Sequence, residues 1–160
     1  MRIRRAEPRD VETILPLIHE LAQFEESVHF VEATSDQLRE SFFGPEPRVF
    51  CDLLEADDAH VAGVMVWFLN YSTWTGSHAI YLEDLFVRPH FRGRGYGRDL
   101  LVHLARECVT HGYQRFQWSV LDWNQDEIDH YESLGALAVT EWTGYRMTKP
   151  TISHLADFES

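Results

Sequence analysis

Between Val87 and Arg98 the chain reads Val-Arg-Pro-His-Phe-Arg-Gly-Arg-Gly-Tyr-Gly-Arg, and its most specific chemistry is concentrated there. Gly93, Gly95 and Gly97 let a backbone approach a ligand closely and turn its N–H groups inward. The stretch leads into Leu100, Leu101, Leu104, Ala105, Cys108 and Val109, whose spacing predicts an amphipathic helix closed by Gly112. The start of a helix adds unpaired donors and partial positive charge, so the arrangement favours a phosphate or pyrophosphate. Arg88, Arg92, Arg94 and Arg98 concentrate positive charge in a chain whose formal net charge is −12. The spacing is not a dinucleotide fingerprint, because the third residue after Gly95 is Arg98. Nor does Gly-Lys-Ser/Thr end it, as a Walker loop requires.

Immediately upstream, Glu83 and Asp84 interrupt the apolar run Ile80 to Val87. Two carboxylates in such surroundings are expensive without a partner or a task. Successive side chains of a strand face opposite sides, so regular alternation lets only one of the two point into a given cleft. The structural alternative is a strand-end pair bonded to backbone or arginine. The chemical reading is amine activation: an ammonium must lose a proton before it can attack, and a carboxylate can bind the cation and accept or relay that proton. Glu83 is then the candidate base and Asp84 the candidate for binding or orienting the cation. Tyr131 follows Asn124 by seven residues on a predicted helix, which places both on nearly the same face. Taken alone, Tyr131 reads first as a core tyrosine with its hydroxyl satisfied elsewhere.

The elements that must position these groups are legible as periodicities. Arg2 to Arg5 and Val49 to Ala56 predict strands, as do Val61 to Tyr71 and Ile80 to Val87. Arg115 to Val120 and Trp142 to Met147 predict two more. A turn at Asp57-Asp58 is expected to join the second and third. Val11, Ile14, Leu15, Ile18, Leu21 and Ala22 predict a first helix, with Asp10 as N-cap and a kink at Pro16. Ser35 to Phe42 and Asn124 to Leu134 predict further helices. The mixture predicts an α/β domain with a mixed central sheet and helices on both faces. It spans 1–150 of the 160 residues, and a short polar tail occupies 151–160.

Composition narrows the partners. The acidic balance disfavours nucleic acid and favours a small cation. Cys51 and Cys108 read as core thiols, and the nine histidines form no metal-ligand pattern. No apolar stretch follows the charged N-terminus, and the run Val61 to Leu69 is too short for a membrane helix. A soluble, cytoplasmic protein without membrane association is the expectation.

Arg92-x-x-Gly95-x-Gly97 resembles the acetyl-CoA pyrophosphate loop of the Gcn5-related N-acetyltransferases. Tyr71-Ser72-Thr73-Trp74-Thr75-Gly76, Ile80-Tyr81-Leu82-Glu83-Asp84 and Val120-Leu121-Asp122-Trp123-Asn124-Gln125 are similar to that family's diamine and thialysine acetyltransferases. So is Tyr131 followed by Leu134-Gly135-Ala136, and the likeness runs from residue 2 to about 149. The resemblance implies a homodimer that moves acetyl from acetyl-CoA to a small primary amine by direct attack in a ternary complex. It also implies that the backbone of Leu85, Phe86 and Val87, and of Arg92, Gly93, Arg94, Gly95, Tyr96, Gly97 and Arg98, holds pantetheine and pyrophosphate. Asn124 then faces the cofactor, and Tyr131 lies near its sulfur as the acid that protonates the departing thiolate. Glu25 in Phe24-Glu25-Glu26 falls in the family's amine-binding region, and Trp74 offers a face to an ammonium. Diamine acetyltransferases carry an acid where this chain has Ser72, whereas the thialysine type has serine, which favours a thialysine- or lysine-like acceptor. A polyamine acetyltransferase and a noncatalytic acyl-CoA-binding module are the alternatives; the latter would need the loop but neither Glu83 nor Tyr131.

Overall fold

The computed structural model describes residues 1–57 and 59–157. The turn expected at Asp57-Asp58 thus lies partly outside the described residues, as does the end of the tail from position 158. Two compact units divide the chain, Met1–Ser119 and Val120–Ser160.

The first unit is built on one sheet. Strands β1 (Arg2–Arg5), β2 (Val49–Glu55), β3 (Val61–Ser72), β4 (Ser77–Val87) and β5 (Phe116–Gln117) lie side by side in chain order. The first three pairings are antiparallel and β4–β5 is parallel. Helix α1 (Val11–Phe24) buries Val11, Ile14, Leu17 and Leu21, and α2 (Ser35–Phe43) buries Leu38 and Phe42. They form one core with Cys51, Leu53, Val64, Val66 and Phe86 of the sheet. Residues of opposite parity on β2 and β3, Leu54 and Met65, are also fully buried. They face the other way, toward α3 (Tyr96–His111), which packs against β4 and buries Leu100, Leu101, Leu104 and Cys108. Burial of each such aliphatic side chain stabilises the fold by roughly 1.5–3 kcal/mol. β3 is apolar at both parities because both of its faces are covered.

Local departures from expectation have physical reasons. Asp10 does not cap α1 with its side chain. Its carboxylate turns back to accept the Glu7 N–H and two hydrogen bonds from Arg4, at 2.7 and 2.9 Å. Pro16 lies inside α1 without ending it. Val109 follows the helical spacing but is 83% exposed, on the outer side of α3. α1 and α3 end in the same turn, in which a left-handed residue lets the next N–H reach back five residues. Gly112 fills that position in α3, with the Tyr113 N–H donating to the Cys108 carbonyl. In α1 it is Glu26 at φ 56°, with the Ser27 N–H donating to the Ala22 carbonyl.

The second unit holds α4 (Gln125–Ser133), which begins after Asn124, and α5 (Lys149–Ala156). The segment read as a short polar tail contains most of α5. The strand expected at Trp142 to Met147 is absent among the described residues, and the one expected at Arg115 to Val120 shrinks to Phe116–Gln117. A strand exists only where its backbone finds a ladder partner, and among the described residues no pairing of the sheet involves Trp142 to Met147. Among the described residues no helix is long and apolar enough to cross a membrane.

Candidate active site

Regular alternation along β4 breaks at one residue. Trp67 pairs with Leu82 and the preceding Val66 with Asp84, so Glu83 has no partner across the ladder. This is a β-bulge, with two residues of β4 opposing one of β3. Val66 belongs to the core beneath α1, so Asp84 faces that side. Leu82 faces the α3 side with Trp67, and Glu83, the surplus residue between Leu82 and Asp84, is exposed. The regular alternation on which the expectation of opposite-facing carboxylates rests is broken at this residue.

The electrostatics put the three acids within reach of one another. Asp84 is pushed up to about 6 by burial, and then by the negative charges of Glu83 and Glu25. Burial also raises Glu25, at the end of α1. Among the described residues none of these three acids takes part in an ion pair. The three predicted acids are therefore brought together. Asp84 and Glu25 are partly desolvated and Glu83 is exposed beside them, and such a group without a counter-ion can take a cation, with Asp84 able to hold a proton near pH 6.

The glycine loop borders this cluster. Gly93 and Gly95 have φ of 74° and 82°, conformations that favour glycine, and Gly95 stands directly before α3. Gly97 is different, since it lies within the helix and outside the left-handed region. A methyl group there would meet no protein atom within 4 Å, so nothing within the fold demands glycine at this position. The backbone there is open to the close approach of a ligand, which fits the loop to the pyrophosphate of acetyl-CoA. Buried Tyr96 anchors the loop, while Arg94 and Arg98 are exposed. Arg92 donates through Nε to the Val87 carbonyl, with its guanidinium 4.5 Å from the Phe24 ring centre and 5.8 Å from that of Phe86. Loop, strand end and the end of α1 are thereby tied together. Arg88 does not join the anion site: it forks onto Glu20, at 2.7 and 2.9 Å, and donates to the Val61 carbonyl. A partner 68 residues away left no local signal in the sequence.

The parallel partner β5 meets β4 only at Ile80 and Tyr81. Beyond that point no strand among the described residues pairs with the outer edge of β4, so Leu85 to Val87 present backbone that an extended ligand can bond.

Two predicted acceptor-side residues are elsewhere. Trp74 is 87% exposed in the β3–β4 hairpin turn. Six residues separate Ser77 from Glu83, which places the turn ~20 Å along the strand from the acids. Ser72 is buried in the same turn, and its hydroxyl accepts the Thr75 N–H at 3.4 Å. Asn124 and Tyr131 belong to the second unit, Asn124 immediately before α4 and Tyr131 in its last turn. The Ala136 N–H donates to the Tyr131 carbonyl in a turn whose left-handed residue is Gly135, at φ 92°. Cys51 and Cys108 are both buried and unbridged, and burial pushes the Cys51 thiol up, away from nucleophilic use. No group of three or more metal-ligating side chains occurs among the described residues.

Comparison with known proteins accords with this geometry. Residues 15–136 match the family described as Acetyltransferase (GNAT) family. A thialysine N-epsilon-acetyltransferase of Mus musculus is 34% identical, over 97% of this chain and 96% of its own length. An L-ornithine N5-acetyltransferase of Arabidopsis thaliana is 31% identical, over 92% of this chain and 84% of its own length. Among solved structures, an integron cassette protein from the mobile metagenome of V. cholerae superposes with a TM-score of 0.81 at 25% identity, covering 98% of both chains.

Proposed function

Because the chain belongs to the GNAT family of acetyl-CoA-dependent N-acetyltransferases, we propose that its acceptor is a small primary amine of the thialysine or lysine type. The attack is direct, within a ternary complex. The observation that carries this reading is the cluster of Glu83, Asp84 and Glu25, grouped without a counter-ion beside the glycine loop. Such a group attracts an ammonium and, once the cation is seated, offers an acceptor for its proton. Glu83 is the proposed base, directly or through water, while Asp84 and Glu25 hold the cation. As the amine nitrogen bonds to the acetyl carbon, the C–S bond breaks and the proton leaves toward Glu83. The thiolate of CoA is proposed to take its proton from Tyr131. A phenol of pKa ~10 gives a proton to a thiolate of ~8.5 only uphill, so placement at the sulfur matters more than acidity.

The unpaired edge of β4 at Leu85 to Val87 and the turn from Arg92 to Arg98 are the proposed seats of pantetheine and pyrophosphate, with Asn124 facing the same molecule. The lean toward a short amine rests on Ser72, which brings no charge to the hairpin turn. A homodimer is also proposed, and a sedimentation mass near twice the chain mass at low micromolar concentration tests it. Trp74, remote from the acids of its own chain, serves an ammonium in this reading only across such a dimer.

The decisive experiment incubates the protein with acetyl-CoA and thialysine, lysine, ornithine or spermidine in separate arms, following release of free thiol. The expected result is highest kcat/KM on thialysine or lysine. A preference for spermidine would move the assignment to polyamines, and binding of acetyl-CoA without turnover on any amine would reduce the protein to a binding module. Tyr131→Phe tests the acid: a fall in kcat of ~10²-fold is expected, with acetyl-CoA affinity little changed. Retention of most of the wild-type kcat in single turnovers would make Tyr131 a packing residue.

A further inference from the structure

The end of α1 is poorly held by the core. Leu21 and Ala22 are its last buried residues, and no side chain from Gln23 to Gln37 is buried. Yet this stretch carries Glu25, whose charge bears on Asp84 of β4. A segment with so few buried contacts keeps its place through the local contacts it does make. One of these comes from the glycine loop. The Arg92 guanidinium lies 4.5 Å from the ring centre of Phe24, the final residue of α1, and 5.8 Å from that of Phe86. Its Nε donates at 3.0 Å to the carbonyl of Val87, the final residue of β4. Among the described residues it meets no carboxylate. These contacts close a circuit around the site. Asp84 leads along β4 to Val87, Val87 holds Arg92, Arg92 lies over Phe24, and Phe24 is joined by the chain to Glu25. Phe24 is 39% exposed, so filling the core does not account for its ring.

We propose that Phe24 is a positioning residue: it seats Arg92 of the glycine loop and in return holds the end of α1, and with it Glu25, beside Asp84. The proposal rests on the reading of the loop and of those acids given above. A cation over a ring face constrains both partners, because the guanidinium is drawn to the electron-rich face and its plane stacks there. On the loop side, the ring and the Val87 carbonyl fix the guanidinium before any ligand arrives, with its Nη groups left to donate to a pyrophosphate oxygen. Less freedom is then lost when the anion binds. On the α1 side, the cation pins the last turn, the part of a helix that frays most readily. Glu25 follows immediately, so its distance from Asp84 is set by the same contact. One pair of side chains thereby prepares the donor seat and the acceptor seat together.

Two quantities read the two ends of this contact in the full chain, and neither needs turnover. The Kd for CoA, from calorimetry, reads the loop. The titration midpoint of the Asp84 carboxyl, followed by carbon NMR, reads the placement of Glu25. Asp84 is faced by Glu83 on its own strand, by Glu25 at the end of α1 and by the buried Cys51 thiol on β2. Phe24→Leu keeps an apolar side chain but no ring face. The expected result is a CoA Kd raised about two- to fivefold, the scale of an exposed cation–π pair, together with an Asp84 midpoint that falls from about 6 toward the ordinary carboxyl range. Phe24→Tyr restores the face and should restore both quantities. Arg92→Gln removes the cation from the other side and should move both in the same directions, which keeps the proposal testable if Phe24→Leu fails to fold. Adding Phe24→Leu to Arg92→Gln should weaken CoA binding no further, because the contact is already lost. Additive losses in the double variant, or movement of one quantity without the other in Phe24→Leu, would overturn the proposal. So would a lower melting temperature with Kd and midpoint both unchanged, which would leave the ring a packing feature. Kd and midpoint decide the matter even if no amine on the panel is acetylated; kcat of Glu83→Gln, by contrast, tests the catalytic reading alone.

Discussion

The two ends of α1 carry acids treated in opposite ways. At its start, Asp10 accepts two bonds from Arg4, which also donates to Glu55 at 2.6 Å. The Arg4 guanidinium holds the Asp10 carboxyl below the usual carboxylate range, and the field of the helix start favours its charge. At the end of α1, Glu25 stands where the helix field disfavours an anion, and with Glu83 it helps to push Asp84 up to about 6. No cation within the described residues compensates this second group. The acid at the start of α1 brings its own arginine, whereas those at its end have none and are the ones proposed above to take a cation.

The largest effect should separate these roles kinetically. Glu83→Gln should lower kcat by ~10²–10³-fold, about 3–4 kcal/mol of transition-state stabilisation. Asp10→Asn should leave kcat within about twofold in the same assay. Equal losses would mean that both ends of α1 serve catalysis, or neither. Next comes stability, in the reverse sense. Asp10→Asn should destabilise by about 2 kcal/mol in urea unfolding at pH 7, the scale of hydrogen bonds to a charged group. Because the folded carboxyl titrates below the unfolded value of ~3.9, this stabilisation is full above that pH and is lost as pH falls through the lower folded value. An effect as large at pH 2 as at pH 7 would show that packing, not charge, is at stake.

Asp84 should behave inversely. Its folded value lies above the unfolded one, so stability declines as pH rises from ~4 to about 6 and the penalty is complete above that. Asp84→Asn should therefore stabilise the protein by on the order of 1 kcal/mol at pH 7.5 and by nothing near pH 3.5. Thermal unfolding across that range checks it, and destabilisation at pH 7.5 would mean that Asp84 has a partner after all. The smallest effect concerns Glu26. Its left-handed backbone suits glycine, so Glu26→Gly should raise stability by about 0.5–1 kcal/mol. An unchanged or lower melting temperature would place a compensating interaction on the Glu26 side chain.

The elements that position the site were legible because each obeys a period. The run from Ile80 to Val87 lies inside β4, and Leu100, Leu101, Leu104 and Cys108 are the buried side of α3. Glycine spacing gave the loop its character before any coordinates. The break in alternation at Glu83 was not legible, because a surplus residue is defined by pairing across the ladder and has no mark in composition. Arg88 was counted with the anion loop because its distance in space from Glu20 has no trace in local sequence. Trp142 to Met147 has the aromatic residues of a strand, yet residue type describes a surface and pairing requires a neighbour.

The outer edge of β4 beyond Tyr81 has a consequence for handling the protein. Unpaired strand backbone is a template for any other extended chain, including β4 of a second, partly folded copy. A ligand that saturates those N–H and C=O groups competes with self-association, in addition to stabilising the native state by mass action. Refolding yield should therefore rise when CoA is present during dilution from denaturant, and solutions freed of CoA should scatter light sooner on warming.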